Sequence, residues 1–231
     1  MSAKLEDHTL AGLYPFLSGT RQDAGQLDLA LLESVRQKVA ESVAVKQRFF
    51  ADNAEKLIAT AHAIAGIYRH GGRLYTMGNG GSSCDAAHIA VEFQHPVTAG
   101  RPALPVINLA SDTAMMSAVG NDVGYKHVFL RQVNAHVGKG DGVIGISTSG
   151  NSENLLAAFS AAKQRGAVTI ALSGGDGGKM FGHADVDHCL VAASDSIHRV
   201  QETHVAIYHV LWDLTHTLLA DDRGSVAGKE N

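Results

Sequence analysis

From His70 onwards, short apolar runs alternate with amphipathic stretches along the chain. Each run is followed by a loop of Gly, Ser, Asn or Asp, and the next stretch has helical spacing. The runs are apolar throughout, which is typical of parallel strands buried on both faces. Strands that alternate with helices predict an α/β fold with one parallel sheet and right-handed crossovers. The predicted strands are Arg73–Met77, Pro105–Leu109, Gly142–Ile146, Val168–Leu172 and Asp187–Val191.

The segment Leu27–Arg69, ahead of the sheet, is rich in Ala, Leu, Glu, Lys and Gln, and we predict that it is helical. Its apolar residues recur at i, i+4 spacing in two sets, which we interpret as a helical pair or bundle arm that packs against another subunit. The predicted organisation is an N-terminal extension and helical arm at 1–69, a ligand-binding domain at 70–220 and a C-terminal tail at 221–231. The first set is Leu31, Val35, Val39 and Val43, and the second is Phe49, Ala54, Leu57, Ile58 and Ala61.

Helices are also predicted between and after the strands, and residues 1–27 are predicted to form a loosely packed extension. The predicted helices lie near Ser83–Phe93, Thr113–Val119, His127–His136, Glu153–Arg165 and Arg199–Ala220.

The amino-acid composition and charge indicate a globular protein. Hydrophobic residues make up 45% of the 231, charged residues 18%, and the net charge is −4, as in globular proteins. No basic run could neutralise successive phosphates, so we expect no direct nucleic-acid partner. No apolar stretch reaches the about 20 residues that span a bilayer, and the start lacks a secretory pattern. Cys84 and Cys189 do not make a disulfide framework, so a cytoplasmic protein is expected.

The loop after the third run, Ser147–Ser152, opens a predicted helix. A helix N-terminus presents unpaired N–H groups and a partial positive charge, which favour an anion. Gly150 allows close approach of the backbone, and the hydroxyls are rotatable donors. The alternative is that these residues only cap the helix. A cap needs one hydroxyl, so the four present favour a phosphate site made by Ser147, Thr148, Ser149 and Ser152.

The loop after the first run, Gly78–Ser83, is rich in glycine and also opens a helix. It is not a dinucleotide fingerprint, because Ser83 stands where the third Gly is required, and the Gly-Gly-Lys179 segment does not have the spacing of a Walker loop. Glycines here favour close approach to a small ligand. Because ligands of parallel sheets bind at the carboxyl ends of the strands, both loops are predicted to face one crevice.

Two pairs of residues could bind a metal. His88 and Glu92 lie at i, i+4 on one helix face, and Gln201 and His209 lie two turns apart on the last predicted helix. Imidazole and oxygen ligands suit zinc or a similar ion. His–Glu pairs at this spacing are also common on solvated helix faces, so spacing alone leaves the alternatives open.

The two loops together resemble the sugar isomerase (SIS) fold, a flavodoxin-like, five-stranded parallel sheet flanked by helices that binds phosphosugars. Within that fold the chain resembles the bacterial phosphoheptose isomerases over residues 35–220. The segments that carry the resemblance further are Cys84–His88, Gly120–Asp122, Gly177–Met180 and Arg199–Glu202.

The resemblance implies an activity and a site. The family converts sedoheptulose 7-phosphate to D-glycero-D-manno-heptose 7-phosphate, a lipopolysaccharide precursor, through an enediol. The resemblance also implies that Glu92 is the catalytic base and His209 the catalytic acid. It further implies that zinc binds to these two residues together with His88 and Gln201. A homotetramer with sites built from neighbouring subunits is also implied. The substrate-binding residues that follow are Asn79, Gly80, Gly81, Ser82, Asp122, Ser147, Thr148, Ser149, Ser152 and Gln201.

Two positions depart from the family pattern and bear on the substrate. His198 replaces an Asp three residues before Gln201, and Phe93–Val97 replaces a segment with a Gly-Arg pair. An isomerase of another ketose phosphate is therefore one alternative. A non-catalytic SIS protein that binds sugar phosphates, such as a replication-initiator-binding homologue, is the other. The presence of both Glu92 and His209 favours an enzyme.

Overall fold

The computed structural model describes the backbone of residues 24–227 and the side chains of residues 27–220. The chain divides into two compact units, Met1–Glu41 and Ser42–Asn231. The predicted N-terminal extension lies outside the described residues up to position 23. The domain bounds given above stay a prediction.

Helix α1 spans Ala24–Arg69 as one element, so the prediction of two helices in the arm was wrong. Between Gln26 and Ala65 the sequence has neither Gly nor Pro. Extending a helix adds one hydrogen bond for each residue fixed, so nothing in this stretch favours a break. The helix ends before Gly71, whose φ of 77° lies in the left-handed region that favours glycine.

Five parallel strands form the sheet, in the order β2-β1-β3-β4-β5. This is the flavodoxin-like order, and it confirms the predicted fold class. The order reverses between β1 and β3, where such sheets bind their ligands. The strands are β1 Leu74–Gly78, β2 Val106–Asn108, β3 Gly142–Ser147, β4 Val168–Gly174 and β5 His188–Ala192.

The remaining helices start and end close to the predicted positions, with one exception. The last helix continues to Ala227 rather than ending at Ala220, so the predicted tail begins as helix. Short 3₁₀ turns lie at Tyr125–His127 and Gly178–Met180. The helices are α2 Gly81–Gln94, α3 Thr113–Asp122, α4 Val128–His136, α5 Glu153–Gln164 and α6 Ile197–Ala227.

The core lies on both faces of the sheet. One cluster packs Ile144 and Ile146 of β3 against residues of α1, α2 and α6, and the other packs Val143 against α4 and α5. Alternate residues of β3 thus point to opposite faces, and both faces are covered. This is why the strands are apolar without alternation. Within the described ranges, no helix has both the length and the apolarity that crossing a membrane requires.

Candidate functional site

The loops that follow β1 and β3 lie side by side, as predicted. The two strands pair in parallel, with Gly78 opposite Ile146 at their carboxyl ends. Asn79 Nδ2 donates to Asn154 Oδ1 at 3.0 Å, and Asn154 Nδ2 donates to Asn79 Oδ1 at 2.9 Å. The Tyr125 hydroxyl donates to the same Asn79 oxygen at 3.0 Å. The glycine-rich loop is therefore held against the first turn of α5.

The serine-rich loop uses its hydroxyls in a way that disfavours a simple helix cap. Ser152 occupies the N-cap position of α5, yet its side chain makes no capping hydrogen bond. Its Oγ instead lies 2.9 Å from the Oγ of Ser147. The Ser152 side chain, which is best placed to accept a hydrogen bond from the N–H groups at the start of α5, therefore does not do so. This favours an anion at the positive end of the helix.

A neighbouring turn braces the serine-rich loop. Gly150 has φ of 64°, and a Cβ at this position would overlap the carbonyl oxygen of Gly177. The Met180 N–H donates to the Gly150 carbonyl at 3.1 Å, and the Lys179 N–H donates to Asn151 Oδ1 at 3.1 Å. The Gly177–Met180 segment, singled out from the sequence, therefore fixes the shape of the loop.

A cavity of about 230 Å³ opens beside the same loop. Thr148 and Ser149 line it, and so do Asp176 and Asp195, whose negative charges disfavour an anion beside them. A phosphate is therefore expected against the hydroxyls. The other lining residues are Gly174, Gly175, Ser194, Ile197 and Val200.

Three of the four predicted metal ligands converge. One ligand atom from each of His88, Glu92 and His209 lies within 4.8 Å of the others. His88 Nε2 is 3.2 Å from Glu92 Oε1, and the two imidazole rings are 5.1 Å apart at 83°. Two imidazoles and a carboxylate from α2 and α6 are a donor set that fits zinc. The i, i+4 pair is therefore not an isolated pair on a solvated face.

The fourth predicted ligand, Gln201, lies against the glycine-rich loop. Its side-chain amide occupies the space where a Cβ on Gly81 would stand. Gly81 is the first residue of α2, so the absence of its side chain lets α6 bring Gln201 to this loop. This position also suits the predicted contact between Gln201 and substrate.

The other predicted substrate-binding residues differ in their contacts with the two loops. Gly80 is the N-cap of α2, with φ of 54°, and the buried Ser82 donates its N–H to the Asn79 carbonyl at 3.0 Å. Asp122 is exposed at the end of α3 and accepts a hydrogen bond from Asn121 at 2.8 Å. Among the described residues, no hydrogen bond joins Asp122 to either loop.

Residues behind the His–Glu–His group were missed by the sequence analysis. The Tyr208 hydroxyl is 2.7 Å from His88 Nδ1. Burial raises the pKa of the Asp85 carboxyl to about 6, and the neighbouring His88 and Tyr208 side chains act in the opposite direction. Asp85 is three residues before His88, and Tyr208 immediately precedes His209. Helical spacing could have placed Asp85 on the His88 face.

A second contact missed from sequence anchors the end of α2. Trp212 Nε1 donates to the backbone carbonyl of Glu92 at 2.8 Å. The Arg101 guanidinium carbon is 4.4 Å from the centroid of the Trp212 ring, and Arg101 pairs with Asp213 at 2.5 Å. Arg101 therefore supports Trp212, the residue that holds the backbone of Glu92.

The two departures from the family pattern lie in different surroundings. His198 is exposed in the first turn of α6. Phe93 is buried and its ring centroid is 6.0 Å from that of Tyr68, whereas Val97 is 80% exposed. The altered segment thus begins in the core and ends on the surface.

Known proteins are similar to this chain in sequence and in fold. Residues 39–174 match the SIS domain family. A phosphoheptose isomerase of Pelodictyon phaeoclathratiforme is 43% identical over 189 residues, 81% of this chain and 89% of that protein. The solved phosphoheptose isomerase of Neisseria gonorrhoeae has a TM-score of 0.76 at 36% identity, covering 81% of this chain and 99% of its own. That of Francisella tularensis also has 0.76, at 32% identity, covering 80% and 98%. The chain therefore belongs to the phosphoheptose isomerase family of SIS-domain proteins.

Proposed function

We propose that the protein isomerises sedoheptulose 7-phosphate to D-glycero-D-manno-heptose 7-phosphate. The observation that carries this proposal is the convergence of Glu92 with His88 and His209. Aldose–ketose interconversion needs a base that reaches C1 and C2 and an acid that reaches their oxygens, and this group offers both. The names of the relatives support the same reaction.

The phosphate group of the substrate fixes the position of the sugar in the site. The serine-rich loop binds that group through Ser147, Thr148, Ser149 and Ser152, with the positive end of α5 behind it. The sugar then extends along the glycine-rich loop, where backbone groups approach it closely. The residues proposed to contact its hydroxyls are Asn79, Gly80, Gly81, Ser82, Asp122 and Gln201.

Two side chains move the protons. Glu92 takes a proton from C1 of the ketose while His209 protonates the oxygen on C2, which gives the enediol. Glu92 then returns the proton to C2 while His209 takes the proton from the oxygen on C1, so the aldose forms and both side chains regain their starting states. The side chain of Glu92 is 21% exposed, so it is accessible to a substrate yet partly shielded from water.

The donor set fits a zinc ion. His88, Glu92 and His209 would hold it, and Gln201 is proposed as the fourth ligand. When bound, the ion supplies Lewis acidity that stabilises negative charge on the oxygens of the enediolate. Dialysis against a chelator should lower activity, and added zinc should restore it.

Incubation with sedoheptulose 7-phosphate, with zinc present, tests the activity directly. Formation of the aldose is expected, and Glu92→Gln should lower kcat by roughly 10²–10⁴-fold because the base is lost. Glu55→Gln, at an exposed position of α1, is the matched control and should leave kcat unchanged. If Glu92→Gln turns over as fast as the unsubstituted protein, this assignment of the base is wrong.

The same assay separates the alternative substrates. Turnover of a shorter ketose phosphate, such as fructose 6-phosphate, in preference to sedoheptulose 7-phosphate would favour the alternative isomerase. Saturable binding of sugar phosphates without turnover of any of them would favour a non-catalytic SIS protein.

We also propose a homotetramer located in the cytoplasm. In the first unit, Leu31, Val35 and Val39 of α1 recur at i, i+4 and are 54%, 59% and 59% exposed. An apolar stripe of this kind favours contact with other copies of the chain. Both cysteines are free, which suits a reducing compartment. Sedimentation should give a tetramer, and Val35→Glu with Val39→Lys should yield smaller species.

A further inference from the structure

Tyr208 is the residue that meets His88 on the side away from Glu92. Its hydroxyl is 2.7 Å from His88 Nδ1, while Nε2 of the same ring is 3.2 Å from Glu92 Oε1. The two rings meet edge to face, with centroids 5.3 Å apart. Both nitrogens of His88 are thus engaged, one by Tyr208 and the other by the proposed reaction site.

Behind Tyr208 lies a buried carboxylate. Asp85 is 8% exposed, and its Oδ2 has no hydrogen-bond partner among the described residues. The Tyr208 side chain neighbours this carboxylate, and its hydroxyl is a donor available to it. A buried carboxylate accepts and cannot donate, so the hydroxyl proton is drawn towards Asp85.

The donor and acceptor roles of these groups bear on which nitrogen of His88 carries the proton. If the Tyr208 hydroxyl donates to Asp85, it accepts from His88, and Nδ1 then carries the imidazole proton. The lone pair of the neutral ring is then on Nε2, which faces Glu92 and His209. Metal-binding imidazoles are commonly oriented by such a hydrogen bond at the other nitrogen.

We propose that Tyr208 is a positioning residue, which relays the hydrogen bond of Asp85 to His88 Nδ1 and so holds Nε2 ready to bind a metal. This role rests on the proposed function only in assigning His88 to the metal site. Tyr208 itself touches neither the reacting carbons nor the ion, and acts through the orientation and tautomer of His88.

Zinc affinity of the full chain, measured by competition with a chromophoric chelator, tests this role without substrate. Tyr208→Phe removes the hydroxyl and keeps the ring, and the affinity should fall roughly 10–100-fold. Tyr75→Phe is the matched control, because it also removes a buried tyrosine hydroxyl, which bonds to the His136 carbonyl at 2.8 Å. Both variants should lose thermal stability, but only Tyr208→Phe should lose zinc affinity.

Asp85→Asn provides a second variant that keeps the size of the side chain. A neutral amide oxygen is a weaker acceptor than a carboxylate, so zinc affinity should fall by less than in Tyr208→Phe. Adding Asp85→Asn to Tyr208→Phe should cause no further loss, because the relay is already broken. Independent, multiplicative losses would mean that Asp85 does not act through Tyr208.

The outcomes separate this proposal from the proposed function. If Tyr208→Phe binds zinc within twofold of the unsubstituted protein, the positioning role is wrong. A protein that binds no zinc would overturn the metal site and this role together. A protein that binds zinc but does not isomerise sedoheptulose 7-phosphate would overturn only the proposed function, and the variants would still decide the role of Tyr208.

Discussion

The side-chain amides of Asn79 and Asn154 exchange two hydrogen bonds, at 3.0 and 2.9 Å, between the glycine-rich loop and the first turn of α5. Asn154 is buried, and its Oδ1 also accepts the N–H of Leu155 at 3.0 Å. The pair therefore sets the spacing between the loop proposed to hold the sugar and the loop proposed to hold the phosphate.

Removing this pair should weaken substrate binding. We expect Asn154→Ala to raise KM for sedoheptulose 7-phosphate by about tenfold, since the loss of one or two buried hydrogen bonds costs roughly 1–2 kcal/mol. Steady-state kinetics check this, with kcat expected to change less than KM. Asn53→Ala, which removes an amide bonded within α1, should leave KM unchanged. An unaltered KM in Asn154→Ala would show that the pair does not set the spacing.

The shape of the serine-rich loop should depend on Gly150. Gly150→Ala combines backbone strain at φ 64° with overlap of the new Cβ and the Gly177 carbonyl oxygen. We expect the free energy of unfolding to fall by roughly 2–5 kcal/mol. Denaturant titration measures it. Gly182→Ala has similar strain, at φ 74°, but open space around the Cβ, and should cost only about 1–2 kcal/mol. Equal losses in the two variants would mean that the close packing contributes nothing.

Gly81 should matter to activity more than to stability. In Gly81→Ala the new Cβ meets the amide of Gln201, which must move away from the glycine-rich loop. Small displacements at a reaction site lower rates strongly, so kcat/KM should fall at least about tenfold. Gly66→Ala, with open space in α1, should keep kcat/KM and stabilise the helix by about 0.5–1 kcal/mol. Full activity in Gly81→Ala would exclude a role for the position of Gln201.

His204 should make the fold sensitive to mild acid. Burial lowers its pKa from 6.5 to about 4, and its Nε2 donates to the Ser173 carbonyl at 2.9 Å. Between these values the unfolded chain binds a proton that the folded protein does not, so this stabilisation is complete above pH 6.5 and is lost as pH falls towards 4. The loss amounts to roughly 3 kcal/mol.

The matching variant is His204→Gln, whose amide can still donate to the Ser173 carbonyl. Unfolding titrations at pH 7 and pH 4 should show a smaller loss of stability in the variant, by about 3 kcal/mol. Other titrating groups are common to both proteins and cancel in the comparison. Parallel pH profiles would mean that His204 does not contribute.

The predicted strands agree with the observed ones to within two residues at each end, because buried parallel strands are short, uniformly apolar and bounded by loops. The prediction for the helical arm was less accurate. Two sets of apolar residues suggested two helices, but a shift in the apolar pattern changes which face is apolar without interrupting the backbone hydrogen bonds. Helix α1 is therefore continuous from Ala24 to Arg69.

The sequence by itself determined the order of strands and helices, the two loops at helix N-termini and the pairing of His88 with Glu92. These features depend on backbone period and on residues within a few positions of one another. Residue spacing did not decide which of the thirteen histidines completes the group, and His209 was expected there only from the family resemblance. The tertiary structure is what brings His209 to His88 and Glu92. His209 reaches it because α6 contacts α2 through Tyr208–His88 and Trp212–Glu92, each pair separated by 120 positions. Packing between such distant residues has no local period, so residue spacing along the chain does not predict it.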